Sequence, residues 1–484
     1  MIRTVVAFCL CIGSLASAVA TAQSLRVSDA ALRKARAEGE ARVMVMLREQ
    51  PPREREPRSR RPGAAAPKGI AAARLHPEAA AQVDAVLSAL PATAHARVER
   101  RFRRVPAFAI RADARTLEAL SRDPRVARVD LDVGGTGAAL PDESTVLNRA
   151  HQLPELGVGG AGMKVAVIDT GIDTDHPDFR NRIVGQRCFC SVGTGCCPNG
   201  TSSQSGAGSA EDDQGHGTNV AGIIGGDGTV APRGALPAVS LVAVKVIDRN
   251  NRFQSTSDVV AALDWIASTH PDVDAVNLSL GTDALLVGDC DNTAAWTQAL
   301  AVAVANLNAL GAVVTASAGN QGNTGSMSAP ACLRNVVSTG ATWDFTGGPV
   351  NFLSCSETST APRQIACFSN RGGTTDLFAA GAFVRAPGFT GGTSSYAGTS
   401  QAAPMAAACA TALKQAAPAS TVAQRVDAMK LSPTRVADPV VVRDYPFLDC
   451  RDALKLLAPA MFAPQPLEGA RPRVPPRAGR APGG

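Results

Sequence analysis

The chain has 484 residues, of which 45% are hydrophobic and 19% charged, so it can bury a sizeable core and is not disordered as a whole. Aromatic residues make up 4%, which argues against a nucleic-acid surface built on base stacking. The net charge of +6 is divided unevenly: residues 24–134 hold 23 basic and 14 acidic side chains, whereas residues 135–465 hold 20 and 27. A basic front segment and an acidic main body attract each other, which explains the basic segment more simply than nucleic-acid binding does.

The first 22 residues are typical of a secretory signal. A positive start at Arg3 is followed by an apolar run over residues 5–20 and by the small residues Ala20-Thr21-Ala22. A membrane anchor is the alternative, but the run is too short for one and it ends in small residues. We therefore expect a signal peptide over 1–22, secretion to the extracellular space or the periplasm, and no membrane partner.

The expected secretion indicates what state the cysteines are in. Of twelve cysteines, two fall in the expected signal, and an even number of ten in an oxidising compartment favours disulfides. Four of them crowd one loop over residues 188–197, where metal binding is the alternative. The spacing is not that of a zinc ribbon and no histidine lies nearby, so disulfides are favoured there too. The other pairs that we predict are Cys290 with Cys332 and Cys355 with Cys367.

Residues 23–134 form the first predicted unit, a small α+β domain in which strands and helices alternate. Its predicted strands and helices lie at 41–47 (strand), 77–90 (helix), 105–111 (strand), 114–120 (helix) and 126–131 (strand). Residues 135–153 follow as a linker and processing region, because they are rich in Gly, Ala and Pro.

Residues 154–460 form the main predicted domain. Near-continuous apolar strands alternate with helices, which indicates a parallel sheet with helices on both faces. The predicted strands are 164–169, 241–247, 275–279, 311–315 and 336–341, and the predicted helices are 218–225, 256–268, 293–310 and 400–415. A Pro/Arg-rich tail over 461–484 is predicted to be disordered.

Asp169 and His216 are the first candidates for chemistry. Asp169 ends a strand, and active sites of open parallel sheets form at the carboxyl ends of strands. A ribose-binding acid of a dinucleotide domain is the alternative, but no G-x-G-x-x-G precedes it in a strand–turn–helix context. His216 stands between Gly215 and Gly217 before a helix of small residues, where another backbone or a substrate can approach closely. This setting suits a general base better than a core histidine.

Ser400 and Asn320 are the next candidates. Ser400 opens a helix, where it is either an ordinary N-cap or a nucleophile whose backbone N–H and helix dipole favour an oxyanion. Asn320 follows a strand, and its amide can donate to an oxyanion. Next to Gly319 it can equally be a turn residue.

Together, in the order Asp, His, Asn, Ser, these residues resemble the subtilisin-like serine proteases, the subtilase family. The resemblance covers about residues 140–450, and the front unit is similar to the propeptide of that family, which acts as folding chaperone and inhibitor. The matching stretches are VIDTGI (167–172), HGTNVAG (216–222), NLSLG (277–281), AGN (318–320) and GTSQAAP (398–404). The resemblance implies an α/β three-layer fold with a central, mostly parallel sheet, preceded by a small α+β propeptide domain.

The resemblance also implies roles. Asp169 would orient His216, which would take the proton from Ser400 as this serine attacks the scissile carbonyl and forms an acyl-enzyme. Asn320 and the backbone N–H of Ser400 would hold the oxyanion. An extended substrate would pair with the strand made of Ser279, Leu280 and Gly281.

The implied partners are protein or peptide substrates and the chain's own propeptide, with no nucleic acid, and a monomer is expected. No cofactor is required for the chemistry. Structural calcium has one weak candidate ligand in Asp178, although the loop near 225–234 does not match the family pattern. The sequence departs from the pattern at two further positions: Asn219 stands where the family usually has a second histidine, and Gln401 where many members have methionine.

Two other functions compete with a secreted, zymogen-type serine endopeptidase. A non-catalytic binding protein on a protease scaffold is disfavoured because all four chemical positions are filled. An α/β-hydrolase esterase needs G-x-S-x-G around its serine and the order Ser, Asp, His, and neither holds.

Overall fold

The computed structural model describes residues 26–48, 78–91, 95–133, 135–136, 145–352 and 354–463. The predicted signal segment and the tail from residue 464 onward lie outside these ranges. So do residues 137–144 of the predicted processing region.

The N-terminal domain forms one antiparallel sheet covered by helices. Its strands follow the order β2-β3-β1-β4. Its elements are α1 (Asp29–Glu38), β1 (Ala41–Leu47), α2 (Ala79–Ser88), β2 (Ala96–Arg101), β3 (Ala107–Ala112), α3 (Ala114–Arg122) and β4 (Val126–Leu131). The five predicted elements are present, but α1 and β2 were not predicted. Helix α1 buries only alanines and β2 is a largely exposed, charged strand, so neither carries an apolar pattern.

The main body is an α/β domain with 19 strands and six helices in the described residues. They are β5 (Gly135–Thr136), β6 (Lys164–Asp169), β7 (Ile183–Phe189), β8 (Ser203–Ser205), α4 (His216–Gly225), β9 (Ser240–Lys245), β10 (Arg252–Phe253), α5 (Thr256–Thr269), β11 (Ala275–Leu278), β12 (Gly281–Thr282), β13 (Leu285–Val287), α6 (Ala295–Ala309), β14 (Val313–Ser317), β15 (Ser326–Ser328), β16 (Val337–Trp343), β17 (Val350–Asn351), β18 (Ser356–Glu357), β19 (Leu377–Ala382), β20 (Val384–Gly388), β21 (Gly392–Tyr396), α7 (Thr399–Ala416), α8 (Val422–Lys430), β22 (Arg435–Asp438), β23 (Arg443–Pro446) and α9 (Cys450–Leu457).

An eight-stranded sheet in the order β19-β16-β14-β11-β6-β9-β7-β8 forms the middle layer. Its neighbouring strands run parallel except for β8, which pairs antiparallel with β7. Along β6, Val165 and Val167 join the core under α4 and α7, whereas Ala166 and Ile168 join the core under α5 and α6. This alternation makes the fold three-layered, as predicted.

The N-terminal domain packs its sheet on α5 and α6. In β1, Val43 and Val45 face the domain's own helices, whereas Met44 and Met46 join the core that α5 and α6 line. One strand thus serves two cores, because successive side chains of a strand point to opposite faces.

Four disulfides lie within the described residues, and both predicted pairs are confirmed. The crowded loop also forms disulfides and not a metal site. The bridges are Cys188–Cys197, Cys190–Cys196, Cys290–Cys332 and Cys355–Cys367. Cys409 and Cys450 are buried thiols outside these bridges. Across the described part of the chain, no helix combines the length and apolar character needed to cross a bilayer.

Candidate active site

Asp169 and His216 form a fully buried pair. Asp169 is the last residue of β6 and His216 the first residue of α4. The Asp169 Oδ1 atom lies 2.7 Å from Nδ1 of His216 and also accepts a hydrogen bond from the backbone N–H of Thr170 at 2.7 Å. The Asp169 Oδ2 atom is buried and has no hydrogen-bond partner among the described residues. A carboxylate on Nδ1 orients an imidazole so that Nε2 can act as a base.

Close backbone packing brings the start of α4 against the Asp169 loop. Gly215 has a φ of +105°, and a Cβ at Gly217 would lie 2.1 Å from the carbonyl oxygen of Gly171. The glycines beside His216 are therefore required, as the sequence indicated. Asp212 supplies the cap that Gly215 lacks, because its carboxylate accepts from the N–H groups of Gly215 and Thr218, each at 3.0 Å.

Lys245 is a site residue that sequence reasoning missed. Its buried ammonium donates to the carbonyl oxygen of Thr170 at 2.6 Å, to that of Ile247 at 3.0 Å and to Asp213 Oδ1 at 2.6 Å. It therefore ties the residue after Asp169 to the loop before His216. The only signal in the sequence is a lysine that ends an otherwise apolar strand.

Ser400 lies in the first turn of α7 and is 1% exposed. Its hydroxyl donates to the carbonyl oxygen of Ser279 at 3.1 Å, and the hydroxyl of Ser279 donates to the carbonyl oxygen of Ser400 at 2.6 Å. The N-cap is Gly398, which has no side chain to cap the helix. The N–H groups of this first turn form the positive end of the helix dipole, next to Ser400. Ser400 and Ser279, predicted from separate motifs, are thus in direct contact.

Asn320 lies after β14 and is fixed by Thr399, the neighbour of Ser400. The Asn320 Oδ1 atom accepts from Thr399 N–H at 2.9 Å and from Thr399 Oγ1 at 2.8 Å. Because Oδ1 faces these donors, the Nδ2 group of Asn320 is the side of the amide left to donate elsewhere. The backbone N–H of Gly319 also donates to Thr399 Oγ1, at 3.1 Å.

The chain's own residues Gly135–Thr136 pair with the predicted substrate strand. Strand β5 lies between β10 and β12 and runs antiparallel to both, with Thr136 opposite Gly281. Ser279 and Leu280, which precede β12, are 0% and 1% exposed. A strand inserted at this edge is the geometry of β-augmentation by an extended peptide.

Asp178, the calcium candidate of the sequence, has both carboxylate oxygens engaged by backbone N–H groups. Its Oδ1 accepts from the N–H of Val230 at 2.6 Å and its Oδ2 from the N–H of Ala231 at 3.0 Å, so the protein itself holds the 226–234 loop. A separate set of carboxylates, Asp173, Asp175 and Glu211, offers oxygen atoms within 4.8 Å of one another. Such oxygens are the type that calcium prefers.

Burial and neighbouring acids raise the pKa of one member of this set, Asp173. Burial first, and then the Asp175 and Glu211 carboxylates, raise the pKa of Asp173 to about 6, against one hydrogen bond from Gly391 N–H.

The buried aspartate–histidine pair, beside a helix-start serine at one edge of a parallel sheet, belongs to the chemistry of serine hydrolases. The sequence profile described as "Subtilase family" matches residues 160–445. The chain is 32% identical to Subtilisin E of Bacillus subtilis (strain 168) over 345 residues, which cover 70% of this chain and 78% of that protein. It is also 32% identical to an "Extracellular serine proteinase" of Thermus sp. (strain Rt41A) over 323 residues, covering 65% and 67% of the two chains.

A solved structure described as a cold adapted subtilisin-like serine proteinase is 25% identical, with a TM-score of 0.46, and covers 60% of this chain and 90% of that one. On the family match and the curated relatives, the chain belongs to the subtilase family. It is a serine endopeptidase, a hydrolase that acts on peptide bonds.

Proposed function

We propose that Asp169, His216 and Ser400 are the catalytic triad of this endopeptidase. The observation that carries the proposal is the buried Asp169–His216 pair, with the 2.7 Å contact on Nδ1. This contact leaves Nε2 as the basic nitrogen, which takes the Ser400 proton during attack on the scissile carbonyl. The resulting imidazolium is stabilised by Asp169 and then protonates the leaving amine, so that an acyl-enzyme remains for water to hydrolyse.

Asn320 is proposed as the oxyanion donor together with the backbone N–H of Ser400. The support is the orientation of its amide, since Thr399 holds Oδ1 on both of its donors. A donor fixed before the reaction need not reorganise as charge develops, and one such donor typically lowers the barrier by about 3–4 kcal/mol. No cofactor takes part in these steps.

The N-terminal domain is proposed to be an inhibitor of the main domain. Two acids at the end of its sheet cap the helices on which it sits: Asp130 Oδ2 accepts from the N–H of Ala295, the first residue of α6, at 2.7 Å. Asp132 Oδ1 accepts from Ser257 N–H at 3.0 Å and from Thr256 Oγ1 at 2.8 Å, in the first turn of α5. Carboxylates at helix N-termini are stabilising because of the free N–H groups and the dipole.

Charge complementarity supports the same proposal. Arg100 of the N-terminal domain lies 2.7 Å from Asp258 of α5, and Asp264 of α5 accepts from the N–H groups of Arg103 and Arg104, each at 2.7 Å. The segment between the cysteine-rich loop over 188–197 and β8 adds a contact, because the carbonyl oxygen of Ser202 accepts from Arg100 at 2.8 Å. Basic residues of the front segment thus meet acidic residues of the body, as the charge division predicts.

Self-processing is proposed to release this domain. Strand β5 runs antiparallel to β12, with Gly135 opposite Thr282 and Thr136 opposite Gly281, so its direction is from Thr282 toward Ser279, which contacts Ser400. We expect the cut within two or three residues after Thr136, inside the predicted processing region of 135–153, of which residues 137–144 lie outside the described ranges. The protein is then a secreted zymogen with a signal over 1–22, an inhibitor domain over 23–134 and a catalytic domain over 154–460.

A serine-directed phosphonate and Ser400→Ala test the proposal together. We expect the phosphonate to label the wild-type protein at Ser400 and to stop both casein hydrolysis and self-cleavage. Ser400→Ala should fold, stay unlabelled and keep the N-terminal domain attached. N-terminal sequencing of the active enzyme should begin close after residue 138.

Substantial proteolysis by purified Ser400→Ala would contradict the triad. Active protein that begins at Gln23 would contradict the processing step alone.

A further inference from the structure

Two residues at which the sequence departs from the subtilase pattern, Asn219 and Gln401, contact each other. Both are fully buried. Gln401 directly follows Ser400 at the start of α7, and Asn219 lies three residues after His216, one turn into α4. The Gln401 Nε2 atom donates to Asn219 Oδ1 at 3.3 Å, so a hydrogen bond joins the two helices that carry the proposed nucleophile and base.

The environment of Asn219 fixes the orientation of both amides. Its Nδ2 group faces the carbonyl oxygens of Ser394 at 3.3 Å and Val384 at 3.4 Å, and Ser394 Oγ at 3.1 Å. Carbonyl oxygens only accept, so the Asn219 amide cannot be reversed, and its Oδ1 must face Gln401. Oδ1 needs a donor, which places Nε2 of Gln401 toward it.

The contact continues into the hairpin beside the base. Ser394 lies on β21, its hydroxyl donates to the carbonyl oxygen of Pro387 on β20 at 3.1 Å, and Tyr396 of the same strand packs its ring edge-on to His216. The remaining acceptor, Gln401 Oε1, is buried with no partner in the described part of the chain. A buried amide with half of its capacity unused depends strongly on the one bond it makes.

We propose that Asn219 and Gln401 act as one positioning unit that sets the base helix against the nucleophile helix, so that the two departures compensate each other. This inference rests on the triad proposed above. A change at one position alone removes the partner of a buried amide. Gln401→Met leaves Asn219 Oδ1 without a donor, and Asn219→Leu leaves the Gln401 amide without a partner. Changing both replaces the polar contact between the two helices with an apolar contact, so neither helix presents an unpaired amide to the other. The acceptors of Asn219 Nδ2 on Ser394 and Val384 lose their donor equally in Asn219→Leu and in the double variant, so the comparison of these two variants isolates the contact with Gln401.

A double-mutant cycle tests the unit, with each protein expressed as the full-length chain and assayed after self-processing. The four proteins are wild type, Gln401→Met, Asn219→Leu and the double variant, normalised by phosphonate titration of active sites. We expect each single variant to lower kcat about tenfold with KM within about twofold, and the double variant to lose no more than a single variant does, instead of the roughly hundredfold loss that two independent effects would give. A residue that acts only on stability would change the active fraction and not kcat per active site.

Asn148→Leu is the matched control. Asn148 is a buried amide whose Nδ2 donates to the carbonyl oxygen of Leu448 at 2.7 Å and whose Oδ1 accepts from Ala380 N–H at 3.0 Å. Asn148→Leu should lower the thermal midpoint and leave kcat per active site unchanged. Combined with Gln401→Met, it should give the kcat of Gln401→Met alone. Asn219→Ala replaces Asn219→Leu in the cycle if the leucine variant does not fold.

The positioning unit would be overturned if the losses of kcat in the two single variants multiplied in the double variant. Changes confined to KM would overturn it as well. Activity that persists in Ser400→Ala, measured in parallel, would instead contradict the triad, so the two failures are distinguishable.

Discussion

Asp132 at the domain interface and Asp169 in the active site are both buried carboxylates directly at the end of a strand, yet their oxygens are used differently. Asp132 is saturated: Oδ2 accepts from Arg42 Nε at 2.9 Å and from Ser255 Oγ, and Oδ1 accepts from the first turn of α5. Asp169 uses Oδ1 alone.

The electrostatics of the interface follow from this saturation. Burial alone would raise the pKa of Asp132, but the Arg42 guanidinium and the hydroxyl donors at the helix start outweigh burial and lower it. A saturated carboxylate is a fixed charge that holds two domains together. The carboxylate in the active site has one main task, to orient a single imidazole, so we expect its loss to affect chemistry and the loss of Asp132 to affect association.

The largest expected effect comes from Asp169→Asn. An amide at this position can donate to Nδ1 of His216 and then stabilises the wrong tautomer, with the proton on Nε2. We expect self-cleavage of the full-length protein to slow by about 10⁴-fold, which is less than the loss in Ser400→Ala because the serine nucleophile remains. Gel-based single-turnover kinetics measure this rate, and a loss of less than tenfold would remove Asp169 from the triad.

Asp132→Asn should leave the chemistry intact and weaken the binding of the cleaved N-terminal domain to the catalytic domain. The substitution removes a charged acceptor from the first turn of α5, whereas Arg42 keeps Glu99 and Asp258 at 3.7 Å. We therefore expect a cost of about 1.4 kcal/mol, roughly tenfold in the dissociation constant. Activity released after self-cleavage, followed against dilution, gives this constant.

Asp84→Asn is the control for this interface, because Asp84 pairs with Arg101 on the surface of the same domain. It should behave as wild type. Equal inhibition by the Asp132→Asn and wild-type domains would show that the helix caps do not hold the complex.

The sequence predicted the local setting of the candidate active-site residues better than the tertiary contacts that hold them. Asp169, His216, Ser400 and Asn320 each stand at a strand end or a helix start among glycines and small residues, a local pattern that can be recognised in one dimension. Lys245 acts through contacts that only the tertiary structure makes, so its strand gives no sign of them.

The Asn219–Gln401 contact shows the same limit. Both departures were visible in the sequence, but a separation of 182 positions conceals that the two side chains are in contact. In the N-terminal domain, β2 was missed because its side chains are charged and exposed, and pairing with β3 decides its conformation.

A smaller effect concerns Asp173, whose charged neighbours in the described part of the chain are the carboxylates of Asp175 and Glu211, whereas Asp132 has Arg42 beside it. A carboxyl group whose pKa is raised in the folded state stabilises the fold most at a pH below its pKa in the unfolded chain, which is near 3.9. For Asp173 this contribution is lost as the pH rises through about 6, its pKa in the folded protein. In full-length Ser400→Ala, the free energy of unfolding should therefore fall between pH 5 and pH 7, by on the order of 1 kcal/mol because the proton is shared with neighbouring acids.

Asp173→Asn should flatten this dependence, and denaturant unfolding at each pH measures it. The lowered pKa of Asp132 predicts the opposite sign, a contribution that is constant over this range and lost only in stronger acid. An unchanged slope in Asp173→Asn would mean that the acidic set is solvated like a surface group.

The smallest effect concerns oxidation at Gln401. In relatives with methionine after the nucleophile, oxidation of the thioether to the sulfoxide adds a polar oxygen that can crowd the oxyanion site. Glutamine has no sulfur, and the nearby methionines Met327 and Met405 are 1% and 0% exposed, so dilute peroxide should inactivate this enzyme slowly. Gln401→Met should become peroxide-sensitive by severalfold in inactivation rate, over and above its lower starting activity. A fast, equal loss in both enzymes would point to Met327 or Met405, whereas a slow, equal loss would mean that position 401 does not touch the reaction centre.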